Sequence, residues 1–150
     1  MNTNELDDIL QRFPIYKGTL ASHSYPPSVT YPSAYVFNVQ PRPLPGLHWI
    51  AIHFPLNKKA ECFDSYGYSL HALCPELEQE FLLKHSNTGT YIYNNKRLQS
   101  EGSNVCGLYC IYYIMKINQG YSMYDIVNTF TNDPLVNDQL ILDYVRHLLR

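Results

Sequence analysis

Hydrophobic positions in the first third of the chain change from a helical period to an alternating one. Residues 5–13 place four apolar side chains on one helical face: Leu6, Ile9, Leu10 and Phe13. The pattern is lost over residues 14–34, which are rich in Pro, Ser and Tyr, and we interpret this segment as an irregular but ordered loop. Residues 34–40 alternate and are rich in aromatic and β-branched side chains, so they predict a strand, with a turn at 41–46.

The middle of the chain predicts a β-hairpin followed by a helix. Residues 48–54 and 60–66 have strand character, and the five residues between them suit a hairpin connection. A proline at the first helical position and acidic residues in the first turn predict a helix over 75–85. A short strand is predicted at 90–95.

The last third of the chain predicts helices. Residues 106–117 are apolar on nearly every side, which favours a helix buried at the centre of the domain. Ser122 followed by Asp125 forms a capping pattern for a helix that extends to about Phe130. Asn137 is predicted to cap the final helix.

Length and composition favour a single globular domain over residues 1–150. The chain is 45% hydrophobic and 16% charged, and its net charge of −2 gives no general electrostatic basis for binding nucleic acid or an anionic membrane. The N-terminal sequence is acidic and polar, unlike a secretory signal, and no apolar run reaches the roughly 20 residues that a membrane helix needs. We therefore expect a soluble protein in a reducing compartment.

The four cysteines, Cys62, Cys74, Cys106 and Cys110, are too few and too unevenly spaced for a small disulfide scaffold. They also lack the paired short spacings of a structural zinc site, so no metal is expected. Taken alone, Cys106 is best explained as a small core residue. Its position, where a polar segment meets the apolar helix, leaves a metal ligand or a nucleophile as alternatives.

The predicted hairpin offers a base for a nucleophile. If Phe54 lies opposite Ala60, then Asp64 is diagonal to His48 on the same face of the sheet. Diagonal neighbours are roughly 7–8 Å apart at the backbone, which allows a hydrogen bond between His48 and Asp64. His53 has the opposite parity and should point to the other face. This arrangement depends on the assumed register, because a slip of one residue would separate the pair.

Cys106 would then stand in the first turn of the buried helix. The partial positive charge and free N–H groups of a helix N-terminus favour a thiolate and can bind an oxyanion. In this hypothesis His48 takes the thiol proton and Asp64 orients the imidazole. Gln99 could donate a side-chain N–H to the oxyanion, and Gly107 would keep the approach of the substrate open.

Four elements occur in one order: "LHW", "FDSYG", a glutamine seven residues before a cysteine, and "CGLYC". This order and spacing resemble the adenovirus-type cysteine endopeptidases (adenains), together with the related proteases of Maverick/Polinton-like transposons and virophages. The same clan contains the proteases that act on SUMO and ubiquitin-like proteins. The resemblance covers essentially the whole chain and implies an α+β fold, a small central mixed sheet flanked by helices.

The resemblance implies that His48, Asp64 and Cys106 are the catalytic triad, and that Gln99 and the Cys106 N–H form the oxyanion hole. It also implies that Trp49 packs beside the catalytic imidazole. Substrates of this family are cut at small, glycine-containing sites, as in the maturation of capsid or other viral or transposon precursors. A deconjugating protease for SUMO- or ubiquitin-like proteins fits the catalytic order equally well and is the alternative.

Two features depart from the adenovirus enzyme, which is basic, uses DNA as a cofactor and is linked by a disulfide to an activating peptide. This chain is slightly acidic, and residues 86–98, where that link would form, contain no cysteine. We therefore expect no cofactor, no DNA binding and no covalent activator, and leave a non-covalent peptide activator open.

The expected location is the nucleus or cytoplasm of a host cell, and the virion. Cys110, one turn after Cys106, is expected to be core packing.

Overall fold

The computed structural model describes residues 1–40 and 48–149, so the turn predicted at 41–46 lies outside the described residues. The strands are β1 Tyr16–Ala21, β2 Ser33–Val39, β3 His48–Phe54, β4 Ala60–Phe63 and β5 Tyr91–Tyr93. The helices are α1 Thr3–Leu10, α2 Leu70–Leu73, α3 Pro75–Leu77, α4 Leu83–His85, α5 Cys106–Asn118, α6 Met123–Val127 and α7 Pro134–Val145. A π-helical turn, Glu78–Leu82, joins α3 to α4, and a 3-10 turn, Arg146–Leu148, follows α7.

The five strands form one mixed sheet in the order β1-β2-β3-β4-β5. The two outer pairs, β1-β2 and β4-β5, are parallel, whereas β3 is antiparallel to both of its neighbours. This mixed sheet with its flanking helices confirms the predicted α+β class.

Alternate residues of the central strands face two separate hydrophobic clusters. On one face, Ala51 of β3 and Phe63 of β4 join the cluster formed with α1, α5, α6 and α7. On the other face, Ile52 and Cys62 join the cluster formed with α2, α3 and the π-helical turn. Helices therefore cover both faces, which is why every residue of β3 is buried.

Helix α5 is the central helix that the sequence predicts. All but two of its 13 residues are buried, because it packs against β3 on one side and against α1 and α7 on others. The apolar character on nearly every side follows from this position. Neither α5 nor any other helix in the described part of the chain is long and apolar enough to cross a membrane.

Most predicted elements are found within a few residues of their expected bounds, but two predictions are wrong. Residues 16–21 form strand β1 rather than part of the irregular loop; this strand lies at the sheet edge and contains a register irregularity between Tyr16 and Gly18, which obscures its alternation. Asn137 does not cap the last helix. Asp133 does so by accepting from Leu135 N, while buried Asn137 bonds to loop residues Thr131 and Leu98.

Candidate active site

The β3–β4 hairpin brings His48 next to Asp64. Ala51 pairs with Phe63 and His53 with Glu61, which confirms the register that the sequence predicts. The His48 Nε2–H donates to Asp64 Oδ1, and both side chains are buried. This bond leaves Nδ1 as the ring nitrogen available to a second partner.

Local turn geometry holds the Asp64 carboxylate in place. Its Oδ1 accepts from the Tyr66 N–H at 3.1 Å and its Oδ2 from the Tyr68 N–H at 3.0 Å. These bonds turn the chain away from the sheet, so β4 ends at Phe63 rather than at the predicted residue 66. They also compensate a carboxylate with no solvent exposure, since buried charge needs hydrogen-bond partners.

Cys106 is the first residue of α5, as predicted. The N-cap residue is Val105, and within the described residues no side chain caps this helix end. The N–H groups of the first helical turn are therefore directed toward the space around the thiol. Burial raises the pKa of Cys106, but His48 and the backbone amides of Trp49 and Gly107 outweigh it and lower the pKa below the ordinary thiol value.

Asp64 and Cys106 stabilise the protonated, positively charged form of His48. Burial lowers the pKa of His48, but its hydrogen bond to Asp64, together with the hydrogen bond and charge of Cys106, outweighs burial and raises the pKa to about 9. A raised imidazole pKa beside a lowered thiol pKa favours a thiolate–imidazolium pair. Such a pair is chemically a nucleophile beside a proton donor.

The other thiols behave differently. Burial raises the pKa of Cys62 and of Cys110 well above the ordinary value. Cys62 faces the cluster beneath α2 and α3. Cys110 faces the α5 cluster, which agrees with its predicted packing role. Cys74, at the start of α3, is partly exposed, and all four cysteines are free thiols within the described residues.

The Gln99 side chain is fully buried and bonded at both ends of its amide. Its Oε1 accepts from the Ser65 hydroxyl at 2.6 Å. Its Nε2 donates to Ser103 O at 3.0 Å and to Ser103 Oγ at 2.9 Å. The amide nitrogen therefore faces the loop beside Cys106, as an oxyanion donor requires, but Ser103 occupies it in this structure.

A cleft of about 840 Å³ is lined in part by His48, Gln99 and Cys106. Its lining consists of Met1, Asn2, Thr3, Asn38, His48, Trp49, Tyr66, Gln99, Glu101, Gly102, Ser103, Asn104 and Cys106. The N-terminal segment forms one wall and loop 101–104 forms the opposite wall. Apart from His48 and Cys106, Glu101 is the side chain in this lining that carries a charge at neutral pH, so the side chains of the cleft are mostly uncharged.

Tyr66 is an aromatic neighbour of the imidazole, and the packing of Trp49 beside that ring stays a prediction. The rings of His48 and Tyr66 have centroids 5.1 Å apart. The Trp49 indole instead donates to Met1 O at 3.2 Å, and its Cδ1 lies 3.5 Å from where a Cβ on Gly107 would be. Trp49 thus lines the thiol side of the cleft, while Tyr66, which sequence reasoning missed, lies against the imidazole. Tyr66 reaches the imidazole because the turn after Asp64 redirects the chain, and the sequence pattern does not reveal this turn.

Gly107 is close to Met1 and Trp49, two residues that line the cleft. A Cβ at this position would lie 3.4 Å from Met1 Sδ and 3.5 Å from Trp49 Cδ1, both ordinary van der Waals distances. The resting structure therefore does not itself require a glycine. An added methyl group would fill part of the space next to Met1 and Trp49, and the need for open access at Gly107 stays a prediction.

The remaining candidate, His53, points away from the site as its parity predicts. Its Nδ1 hydrogen-bonds with Glu61 Oε1 at 2.9 Å, and its ring meets Tyr113 edge-on. The described residues contain no group of three or more His, Cys, Asp or Glu side chains that could hold a metal ion.

A search of solved structures finds a protein with a similar fold. The central domain of an uncharacterized protein (Lpg1148) from Legionella pneumophila aligns over 99% of this chain and 97% of that domain, with a TM-score of 0.50. The sequence identity is 15%, so this likeness concerns the fold alone. Among curated protein sequences, none matches the chain significantly.

Comparison with family models gives a more specific result. The model of the adenovirus endoprotease family matches residues 23–140, well over half of the chain. The matched region contains His48, Asp64, Gln99 and Cys106, and members of such a family are cysteine peptidases that act on protein substrates. The chain therefore belongs to the adenovirus endoprotease family.

Proposed function

We propose that this protein is a cysteine endopeptidase in which Cys106 is the nucleophile, His48 the general base and acid, and Asp64 the residue that orients His48. One observation carries the proposal: His48, which bonds to Asp64 through one ring nitrogen, lines the same cleft as Cys106 at the start of α5. The nucleophile, the base and the orienting group thus form one connected chain.

The reaction begins with the thiolate attacking the carbonyl carbon of the scissile peptide. A C–S bond forms, and the carbonyl electrons move to oxygen to give an oxyanion. We assign two donors to this oxyanion, the Cys106 N–H at the helix N-terminus and the Gln99 Nε2–H. The backbone fixes the Cys106 N–H before the reaction, whereas Gln99 Nε2 becomes available when one of its bonds to Ser103 gives way.

The intermediate then collapses toward the thioester. The imidazolium of His48 gives its proton to the leaving nitrogen as the C–N bond breaks. Water, deprotonated by His48, attacks the thioester and releases the carboxylic acid and the Cys106 thiolate. Asp64 keeps Nε2 protonated throughout, so that Nδ1 performs both transfers.

We propose that the substrate has small residues, glycine among them, at the cleavage site. The support is the confined space beside the thiol, where Met1 and Trp49 approach Gly107. Uncharged walls also suit recognition of an extended peptide through its backbone more than through charged side chains.

The proposed biological substrates are precursor proteins of a virus or transposon, a capsid precursor first among them. This setting places the enzyme in the host nucleus or cytoplasm and in the virion. The catalytic scheme needs no cofactor, and the net charge of −2 gives no support for DNA as an activator. A peptide activator, if one acts, would bind without a disulfide, because residues 86–98 contain no cysteine.

The nucleophile is tested by Cys106→Ala with Cys110→Ala as the matched control. Both changes remove a buried thiol from the same helix, one turn apart. Cleavage of a glycine-containing peptide should be lost in Cys106→Ala and retained in Cys110→Ala, while circular dichroism shows both folded. Cleavage by folded Cys106→Ala would rule out the assignment.

The substrate class is tested by comparing three reporters. These are a peptide with glycine at the cleavage site, the same peptide with leucine there, and a fluorogenic ubiquitin-like protein C-terminus. The proposal expects the highest kcat/KM for the glycine peptide. A preference for the intact ubiquitin-like protein would instead identify a deconjugating protease.

A further inference from the structure

We propose that Ser65 is a positioning residue for the oxyanion hole, which keeps the donor end of the Gln99 amide facing the cleft. This inference rests on the proposed function, since it assigns a role within that reaction. The observation is the 2.6 Å hydrogen bond from the Ser65 hydroxyl to Gln99 Oε1, between two side chains that are almost fully buried.

The backbone holds Ser65 and Gln99 together independently of this side-chain bond. The carbonyl of Ser65 accepts from Leu98 N at 2.8 Å and from Gln99 N at 3.0 Å. A change of Ser65 to alanine therefore removes the hydroxyl while the backbone clamp remains. The effect of this substitution on activity therefore reports on the orientation of the Gln99 amide, separately from the position of its backbone.

The two ends of the Gln99 amide have different partners. Ser65 donates to the oxygen, and Ser103 accepts from the nitrogen through its carbonyl and its hydroxyl, at 3.0 and 2.9 Å. An amide nitrogen carries two hydrogens, so one bond to Ser103 must give way before Nε2 can bind an oxyanion. The Ser65 bond lies at the opposite end and can persist through the reaction.

Ser65 therefore matters most when the substrate is bound. At rest, the Ser103 carbonyl also fixes the amide, because only the nitrogen can donate to it. Once the oxyanion displaces one bond to Ser103, the Ser65 bond and the remaining Ser103 bond together restrain the amide against rotation. A rotated amide would present Oε1 to a negatively charged oxygen, which is repulsive.

This arrangement also joins two functions in one segment. Asp64 orients the imidazole and the next residue, Ser65, orients the oxyanion donor. The turn after β4 would thus position both the base and the oxyanion hole relative to Cys106.

The kinetic test compares Ser65→Ala with Ser86→Ala. Ser86 is also buried, and its hydroxyl makes an equally short bond to Thr90 O, at 2.6 Å. It also accepts from Ala60 N at 3.1 Å, and both contacts lie away from the cleft. Ser65→Ala should lower kcat about tenfold with little change in KM, a fraction of the loss expected for a whole oxyanion donor. Ser86→Ala should retain the wild-type kcat.

A double-mutant cycle tests whether Ser65 acts through Gln99. In the Gln99→Ala background, Ser65→Ala should have almost no further effect, because the group that it positions is gone. Equal losses from Ser65→Ala in both backgrounds would overturn the proposal, since the hydroxyl would then act elsewhere.

Two inhibitors separate this proposal from the proposed function. A peptide aldehyde forms a tetrahedral adduct whose oxygen needs the oxyanion hole, whereas iodoacetamide alkylates the thiolate without one. Ser65→Ala should bind the aldehyde about tenfold more weakly, with an unchanged alkylation rate at Cys106. Unchanged aldehyde affinity would overturn the role of Ser65 alone. A wild-type protein that neither cleaves the peptide nor binds the aldehyde would overturn the proposed function as well.

Discussion

The side-chain amide of Asn94 makes two hydrogen bonds to the backbone of Asp64. Asn94 Oδ1 accepts from Asp64 N at 2.9 Å, and Asn94 Nδ2 donates to Asp64 O at 2.5 Å. Asn94 follows β5, so its side chain continues the β4–β5 pairing beyond the last paired strand residues. Both backbone groups of the residue that holds His48 are satisfied in this way.

Asn94→Ala should therefore lower both stability and activity. The change leaves the buried Asp64 N–H without a partner and removes one of two donors to the Asp64 carbonyl, which keeps its bond from Gly67 N at 2.9 Å. We therefore expect the free energy of unfolding to fall by about 1–3 kcal/mol. Activity should fall as Asp64 loses its fixed position. Chemical denaturation and kcat/KM measure the two effects. Asn87→Ala is the control, because exposed Asn87 makes one long bond to Pro55 O at 3.3 Å and should change stability little. Equal, small effects of the two changes would contradict this role of Asn94.

The pH dependence should reflect the thiolate–imidazolium pair. Catalysis requires His48 to be protonated for the leaving nitrogen, so kcat/KM should fall above its pKa of about 9. On the acidic side, activity should extend well below the ordinary thiol pKa, because the pKa of Cys106 is lowered. The iodoacetamide reaction at Cys106 should show the same acidic limb. A basic limb near the ordinary imidazole pKa would contradict the pairing.

The same shift has a consequence for stability. The pKa of His48 in the folded protein, about 9, lies above the unfolded value near 6.5. Protonated His48 therefore favours the folded state fully below about pH 6.5, and this contribution is lost as the pH rises through about 9. In His48→Ala this part of the stability profile should be flat.

Tyr66 should raise the pKa of His48 through its aromatic ring. A cation near an aromatic face gains about 0.5–2 kcal/mol, and the ring centroids here are 5.1 Å apart. Tyr66→Leu should therefore move the basic limb of kcat/KM down by about 0.4–1.5 pH units. Tyr66→Phe keeps the ring and should leave the limb unchanged. The same shift in both variants would assign the effect to the hydroxyl.

Much of the architecture follows from local patterns. The even sum of paired residue numbers in the hairpin places His48 and Asp64 on one face, and the apolar run from residue 106 predicts the buried helix. Strand β1 was missed because an edge strand with a register irregularity has no regular alternation. Asn137 was misassigned because its bonds to Thr131 and Leu98 depend on tertiary contacts that no local pattern records.

In the candidate site, too, some residues could be predicted from the sequence and others could not. Residue types and their order were enough to select His48, Asp64, Gln99 and Cys106. In the structure His48, Gln99 and Cys106 line one cleft, and Asp64 bonds to His48. The supporting contacts were not predictable, since Ser65 and Gln99 are 34 residues apart and meet only through the turn after β4. The same holds for Asn94, which lies 30 residues from Asp64 in the chain.

Gln99→Ala should lower kcat by about 10²–10³, the usual cost of removing one oxyanion-hole donor. The cause is lost stabilisation of the tetrahedral intermediate, so KM and the alkylation rate of Cys106 should change little. Ser103→Ala is the matched control, because it removes one of the two acceptors that occupy Gln99 Nε2 at rest while keeping the Ser103 carbonyl. Its kcat should equal or exceed that of the wild type. Steady-state kinetics on a glycine-containing peptide measure both variants, and a near-neutral Gln99→Ala would remove Gln99 from the mechanism.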